Sequence, residues 1–456
     1  MNTLIYISGL GIISLLAEIF NARKVIVPAT IIGLLAILGF NISEYNEFGT
    51  YQKGMMVVDK FSVAFSSLFI IVTIFLIALG KEFYKNQETK ISDYVGIKVF
   101  LLAGSVAMVS FLNLSMFFLG IEVLSISLYV LAASNRLNLK SNEAGMKYFL
   151  MGSFASGILL FGICLIYGAT GSFSLNAISQ IIHTTNYPQW YFIGLILLVI
   201  GMLFKIAVFP FHFWAPDVYE GAPALTTATM STLAKIVAMA TLYKLVLSLF
   251  PLQTYSFQMI IVCVAIGSML VGNIMALRQN NVKRMFAFSG ISHAGFMVTT
   301  LLLANNSGGT LLYYATAYAI AGIGFFAVVI YVTKDKENET IDSFNGFGKT
   351  HPLLAGVLTA SLLSMAGIPI LSGFFAKFFL LSQLIQTGWV VVVIVAIVSS
   401  IISIGYYFKI ILAMYTKDSE VTLPNVPIMY QLVAVTALVL NIALGLFPNY
   451  VLGLIS

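Results

Sequence analysis

The sequence predicts an all-α polytopic membrane protein of about fourteen transmembrane helices, with two inverted five-helix repeats. Three observations carry this. Of 456 residues, 60% are hydrophobic and 9% charged, where an average soluble domain has roughly 25% charged residues. The mean hydropathy is +0.99, and apolar runs of about 20 residues, the length that crosses a bilayer, recur along the whole chain. Between them, Lys and Arg fall on alternate connections.

The runs lie near 3–20, 25–40, 61–80, 96–112, 114–133, 144–168, 190–209, 224–249, 257–277, 285–303, 309–333, 353–387 (interrupted), 389–415 and 430–450. No basic residue precedes the first run and no small-residue cleavage site follows it, so it is expected to be a retained span and not a signal peptide.

Loop charges test the count. Arg23 and Lys24 follow the first run; Lys81, Lys85 and Lys90 the third; Arg136 and Lys140 the fifth. Arg278, Lys283 and Arg284 follow the ninth, Lys334, Lys336 and Lys349 the eleventh, and Lys417 the thirteenth. Connections after the fourth, sixth, eighth, tenth and twelfth runs hold no Lys or Arg, and Lys53 and Lys60 after the second are offset by Glu44, Glu47 and Asp59. The basic connections are expected to face the cytoplasm, which puts both termini outside. The net charge of +6 is read as loop orientation, not nucleic-acid binding.

No linker separates soluble domains. One membrane domain, 1–456, divides into N-terminal helices (1–95), two five-helix units (96–250 and 256–415) and a last helix (416–456). The unit boundaries come from two interrupted runs. The stretch GMLFKIAVFPFHFWAPDVYEGAPALTTATMSTLAK, 201–235, holds Pro210, Pro216 and Pro223, which an unbroken helix tolerates poorly. SMAGIPILSGFFAKFF places Pro369 and Gly373 just before Lys377. Each break has a lysine beside it, and five helices separate the two, so their membrane orientations are opposite. A broken membrane helix must satisfy its backbone with protein or water.

An ionisable residue beside such a break is a candidate for proton traffic. Glu122 lies eight residues into the fifth run, about 12 Å deep, and Lys235 lies near the middle of the eighth. A structural pair pinning two helices is the plain alternative. Five such residues, Glu122, Lys147, Lys205, Lys235 and Lys377, are more than pinning needs. A carboxylate about 7 Å from an ammonium favours its charged form by about 2 kcal/mol at an effective dielectric of 20. Moving Glu122 relative to Lys205 would therefore make the lysine take up or drop a proton.

Other positions are open. Lys147 is a surface pair with Glu143 or a supporting relay member. His212, in an aromatic loop, is a packing residue or a proton carrier, and His293 in SGISHAGF raises the same choice. Lys244 and Lys409 are expected to snorkel from helix ends. Asp217 and Glu220 are expected to cap or brace the segment after the first break. Cys164 and Cys263 are expected to be small buried hydrophobes. No CxxC, HExxH or P-loop is present, and Gly322 and Gly324 make only a fragment of a glycine fingerprint, so no cofactor is expected in this chain.

FKIAVFPFHFWAPDVYEGAP, GIEVLSISLYVL, SNEAGMKYFLMGSFASGILLFGICLIYGATGS, NNVKRMFAFSGISHAGF and GIPILSGFFAKF together resemble the subunit N family of proton-pumping NADH:quinone oxidoreductase, respiratory complex I. The resemblance spans roughly 96–415. DVYEGAP is its most discriminating part, since other antiporter-like members tend to carry a His-rich stretch ending in EAP. The resemblance implies a membrane-arm subunit in a bacterial inner membrane, partnered by other antiporter-like and small subunits, with NADH and quinone bound elsewhere. It implies a central chain of Glu122, Lys205 and Lys235, with Lys377 at the exit and Lys147 and His212 in support. The competing readings are a free-standing cation/proton antiporter of the same fold and a scaffold whose charges are structural.

Overall fold

A computed structural model describes residues 2–20, 23–51, 54–84, 91–184, 188–250, 255–303, 307–334, 339–418 and 425–455. The chain is nearly all helix. The first group comprises α1 (Asn2–Ile19), α2 (Arg23–Ser43), α3 (Lys60–Phe83), α4 (Ile91–Ser110), α5 (Leu114–Ala132), α6 (Leu139–Thr170) and α7 (Leu175–Thr184). Between α2 and α3 lies a small hairpin, β1 (Gly49–Tyr51) and β2 (Met56–Val58). Next come α8 (Gln189–Ile206), α9 (Trp214–Gly221), α10 (Ala224–Thr229) and, after a π-turn at Met230–Ala234, α11 (Lys235–Leu249). The rest is α12 (Tyr255–Leu277), α13 (Val282–Val298), α14 (Gly308–Thr333), α15 (Phe347–Thr350), α16 (Pro352–Ala366), α17 (Ser372–Gln386), α18 (Val390–Thr416), α19 (Ile428–Leu446) and α20 (Asn449–Leu452).

Thirteen crossings among the described residues are long and apolar enough to span a bilayer. The half-helices α16 and α17 add an interrupted segment where the sequence predicts one. Helix starts follow from polar residues ahead of apolar runs. Asp59 and Ser62 form a capping box on α3, and Asn113, Asn138 and Asn281 accept from the first-turn amides of α5, α6 and α13, a standard use of Asn at this position.

Burial sorts the crossings. Val282–Leu302 and Gly308–Thr333 are 100% and 94% buried, against 22% for Asn2–Ile19. The first two are enclosed on nearly every side, and the first carries Lys283 and His293 as buried polar residues.

Both interruptions close in the same way. At the end of α8, Ala207 takes a left-handed φ of 59°; its N–H donates to the Phe204 carbonyl at 3.0 Å and the Val208 N–H to that of Leu203 at 3.2 Å. At the end of α16, Gly367 has φ 91°; its N–H donates to Ser364 O at 3.0 Å and the Ile368 N–H to Leu363 O at 3.0 Å. This is the Schellman pattern, which satisfies the orphan carbonyls, and the Pro just beyond each turn prevents the helix from continuing.

The structure corrects several expectations. Cys164 and Cys263 are exposed, not buried, because an apolar side chain on a membrane helix can face lipid as readily as protein. α4 starts at Ile91, five residues before the expected 96, and so takes Lys98 well into the helix. Lys283 and Arg284 belong to the first turn of α13, and Lys283 is buried. Lys244 and Lys409 donate to the terminal carbonyls of Val109 on α4 and Leu277 on α12, which complements the negative ends of those helices. Lys53, Lys85, Lys90 and Lys336 lie outside the described residues.

Candidate functional site

On α5 the spacing i, i+3, i+7 puts Glu122, Ser125 and Tyr129 on one face. Lys205, in the last turn of α8, is held against that face. Its Nζ donates to Ser125 Oγ at 2.6 Å and to Tyr129 Oη at 3.2 Å. The Schellman end of α8 leaves a partial negative charge near this ammonium. Oε1 of Glu122 is buried without a hydrogen-bond partner among the described residues, and the carboxylate acts electrostatically on both Lys205 and Tyr129.

A second group surrounds α13. Lys235 is 2% exposed and begins α11 directly after the π-turn, a helix defect common at functional sites. Its Nζ finds no hydrogen-bond partner among the described residues. A Cβ on Gly290 would lie 2.9 Å from that Nζ and 3.1 Å from Tyr318 Oη, so the absence of a side chain at 290 makes room for both groups. The Tyr318 ring lies 5.0 Å from His293. His293 Nδ1 meets Tyr314 Oη at 2.9 Å and Nε2 meets Tyr407 Oη at 3.3 Å. Lys235 and Lys377 both act electrostatically on His293.

Lys377, 7% exposed, sits in α17 but reaches back across the break, donating to Ala366 O at 3.0 Å. The two break lysines thus lie on opposite sides of their interruptions, yet each serves the negative end of a first half-helix. Between His293 and the second break lies a cavity of about 10 Å³ lined by Tyr314, Tyr318, Ser364, Gly373 and Ala376, close to the room one water requires. α8, which carries Lys205, packs on α11, which carries Lys235.

Lys147 and His212 sit apart from these contacts. Lys147 is exposed and pairs with Glu143 at 2.7 Å and Asp217 at 3.3 Å. Asp217 and Glu220 also bind Arg284 at 2.6 and 3.0 Å, so they brace α9 against α13 and do not cap it. These side chains are 31–64% exposed. We expect Asp217→Asn to cost less than about 1 kcal/mol, with a thermal midpoint whose small shift vanishes at high salt. His212 is buried in the first break, stacked on Phe213 at 4.4 Å, with Nδ1 unpartnered among the described residues. Nearby, Lys283 pairs with Glu339 at 2.6 Å; burial pushes the Glu339 carboxyl up, and the ammonium opposes that.

Ser125, Tyr129 and Tyr318 are not singled out by the sequence, and His293, a packing residue or a proton carrier by sequence, stands among three tyrosines. The i, i+3, i+7 spacing from Glu122 is the signal that points to the first two. No group of three His, Cys, Asp or Glu able to hold a metal occurs among the described residues.

Residues 112–403 match the family described as NADH:quinone oxidoreductase/Mrp antiporter, TM. The chain is 82% identical to an NADH-quinone oxidoreductase subunit N of Flavobacterium psychrophilum and 62% identical to that of Flavobacterium johnsoniae, over 100% of both chains in each case. It is similar to a chain of respiratory complex I from Thermus thermophilus, with a TM-score of 0.86 at 28% identity, covering 99% of this chain and 98% of that one. A chain of the Mrp complex from Dietzia shares the fold, with a TM-score of 0.86 at 21% identity, covering 100% and 96%.

Proposed function

The chain belongs to the NADH:quinone oxidoreductase/Mrp antiporter family of membrane subunits, and from that premise we propose that Glu122, Lys205, Lys235, His293 and Lys377 form its proton-transfer row. The chain is a proton-translocating membrane-arm subunit of NADH:quinone oxidoreductase and works beside other membrane-arm subunits. Reduction of the quinone is carried out by other subunits of that enzyme. A free-standing antiporter is not favoured, since relatives 82% and 62% identical to the chain are named as oxidoreductase subunits.

The observation that carries the row is the buried Lys235 ammonium, which has no hydrogen-bond partner among the described residues, with His293 within electrostatic reach of both it and Lys377. A lone charge at that depth costs several kcal/mol, so its protonation state is sensitive to what neighbours it. Glu122 sets the state of Lys205. When a change in the complex draws Glu122 away, Lys205 releases a proton toward Lys235, and the tyrosine-framed histidine passes one on to Lys377. His212 and Lys147 are in support, the first at the break and the second in the ion network at its basic-loop end.

Counting α16–α17 as one crossing gives fourteen. The matched Schellman ends of α8 and α16 fit two inverted repeats, 96–250 and 256–415. By the loop charges, both termini face the outer side of a bacterial plasma membrane. The test is Glu122→Gln in the assembled complex, reconstituted in vesicles. We expect protons moved per electron pair to fall while uncoupled quinone reduction continues; an unchanged ratio would overturn the relay.

A further inference from the structure

Lys98 has no part in the row described above. It is 1% exposed and has no ion-pair partner among the described residues. Its Nζ donates to the Leu76 carbonyl of α3 at 3.1 Å and sits 4.6 Å over the ring of Tyr94, one turn earlier on α4. Leu76 O already serves its own helix, so the ammonium is weakly held for so buried a charge.

Gly104 of α4 packs against Gly120 and Leu124 of α5. Lys98, six residues before Gly104, therefore lies about 9 Å from the Glu122 level toward the basic-loop face. Beyond it, at that face, opens a pocket of about 730 Å³ lined by Tyr84, Asp93, Tyr94, Ser134, Arg136 and Lys334, among others. At roughly 30 Å³ per molecule this has room for on the order of twenty waters. The hydroxyls of Tyr84 and Tyr94 are buried, and neither completes a hydrogen bond among the described residues. They lie within electrostatic reach of each other, and that of Tyr94 also within reach of Thr226 on α10.

The hydroxyls of Thr226, Thr229 and Thr232 recur at i, i+3 and i+6 along the helix toward Lys235, with Thr227 and Ser231 on its other sides. Thr226, Thr227, Thr229, Ser231 and Thr232 are all 0% exposed. Each donates to a backbone carbonyl and keeps its oxygen lone pairs for a water. Lys235 is nine residues past Thr226, about 13 Å along the helix.

We propose that this pocket is the mouth of a proton-input branch on the basic-loop face and that Lys98 is its loading group, delivering through Tyr94 and the Thr226–Thr232 hydroxyls to Lys235. This rests on the relay reading above. With Lys98 unprotonated, its amine takes a proton carried in by pocket water; the ammonium then gives one back through a water to the Tyr94 oxygen as the phenol passes its own to a water beside Thr226, which leaves amine and phenol as they began.

The test uses the assembled complex in vesicles, with Lys235→Met beside Lys98→Met, Lys98→Arg and Lys98→His. Arginine keeps the charge but does not release its proton, whereas histidine exchanges one. We expect Met and Arg at 98 to lower pumping per electron pair severalfold and His to restore part of it. Normal pumping by Lys98→Arg or Lys98→Met, with Lys235→Met defective, overturns the branch and leaves the relay standing. Normal pumping by Lys235→Met overturns the relay itself. Should the Lys98 variants fail to assemble, Asn135→Cys at the exposed rim, with Cys164 and Cys263 replaced by Ser, keeps Lys98 in place. A membrane-impermeant cationic methanethiosulfonate added from the basic-loop side should then slow pumping severalfold, and no slowing overturns the branch.

Discussion

Lys235→Met is expected to slow proton transfer through this subunit about a hundredfold or more, with helix packing nearly intact. Lys235 Nζ has no hydrogen-bond partner among the described residues, so removing it breaks no such contact. Methionine matches the stem, and a volume-conserving change in a packed site costs less than about 1.5 kcal/mol. What is lost is the acceptor between Lys205 and His293. A proton crossing that gap unaided faces at least about 3 kcal/mol of added barrier, a factor near a hundred. Pumping per electron pair in reconstituted complex measures the first effect and the thermal midpoint of the purified complex the second. Loss of both together would mean that the lysine is structural.

Gly373→Ala should act in the opposite way, through packing first. A Cβ at 373 would fall 1.9 Å from the Ser364 carbonyl oxygen and 2.6 Å from its carbon. Both atoms are backbone of the other half-helix, so α16 and α17 must move apart. The second break is pinned by Asn441 of α19, whose Oδ1 accepts from Ser364 Oγ at 3.1 Å, Ser372 N at 3.1 Å and Ser372 Oγ at 2.8 Å. Separation would strain these bonds and draw Lys377 away from Ala366 and His293. We expect a destabilisation of about 3 kcal/mol or more, seen as a lower thermal midpoint and less assembled complex, with pumping lost in what does assemble. A midpoint within a degree of the unsubstituted complex would contradict the close approach.

The crossings and both breaks were legible because their causes are local. Apolar length sets a span, and Pro210 and Pro369 stop a helix wherever they stand. Glu122, Lys205, Lys235 and Lys377 stood out because charge is rare at that depth. What escaped notice depended on direction. Cys164 and Cys263 sit in apolar runs, and nothing in such a run says which side faces lipid. Lys98 lies two residues inside the expected start at 96 and only the earlier start at Ile91 takes it two turns deep. His293 gained its place from tyrosines at 314, 318 and 407, far apart in sequence. The amphipathic α7 falls in a connection that carries no Lys or Arg, so the charge pattern passed over it.

The central claim is that these side chains make one hydrated row across the middle of the membrane. A structure of the assembled membrane arm, at a resolution that shows ordered water, tests it most directly. The account predicts water density joining Glu122 and Lys205 to Lys235, and continuing past His293 to Lys377. Dry apolar packing between Lys205 and Lys235, or between His293 and Lys377, would contradict it.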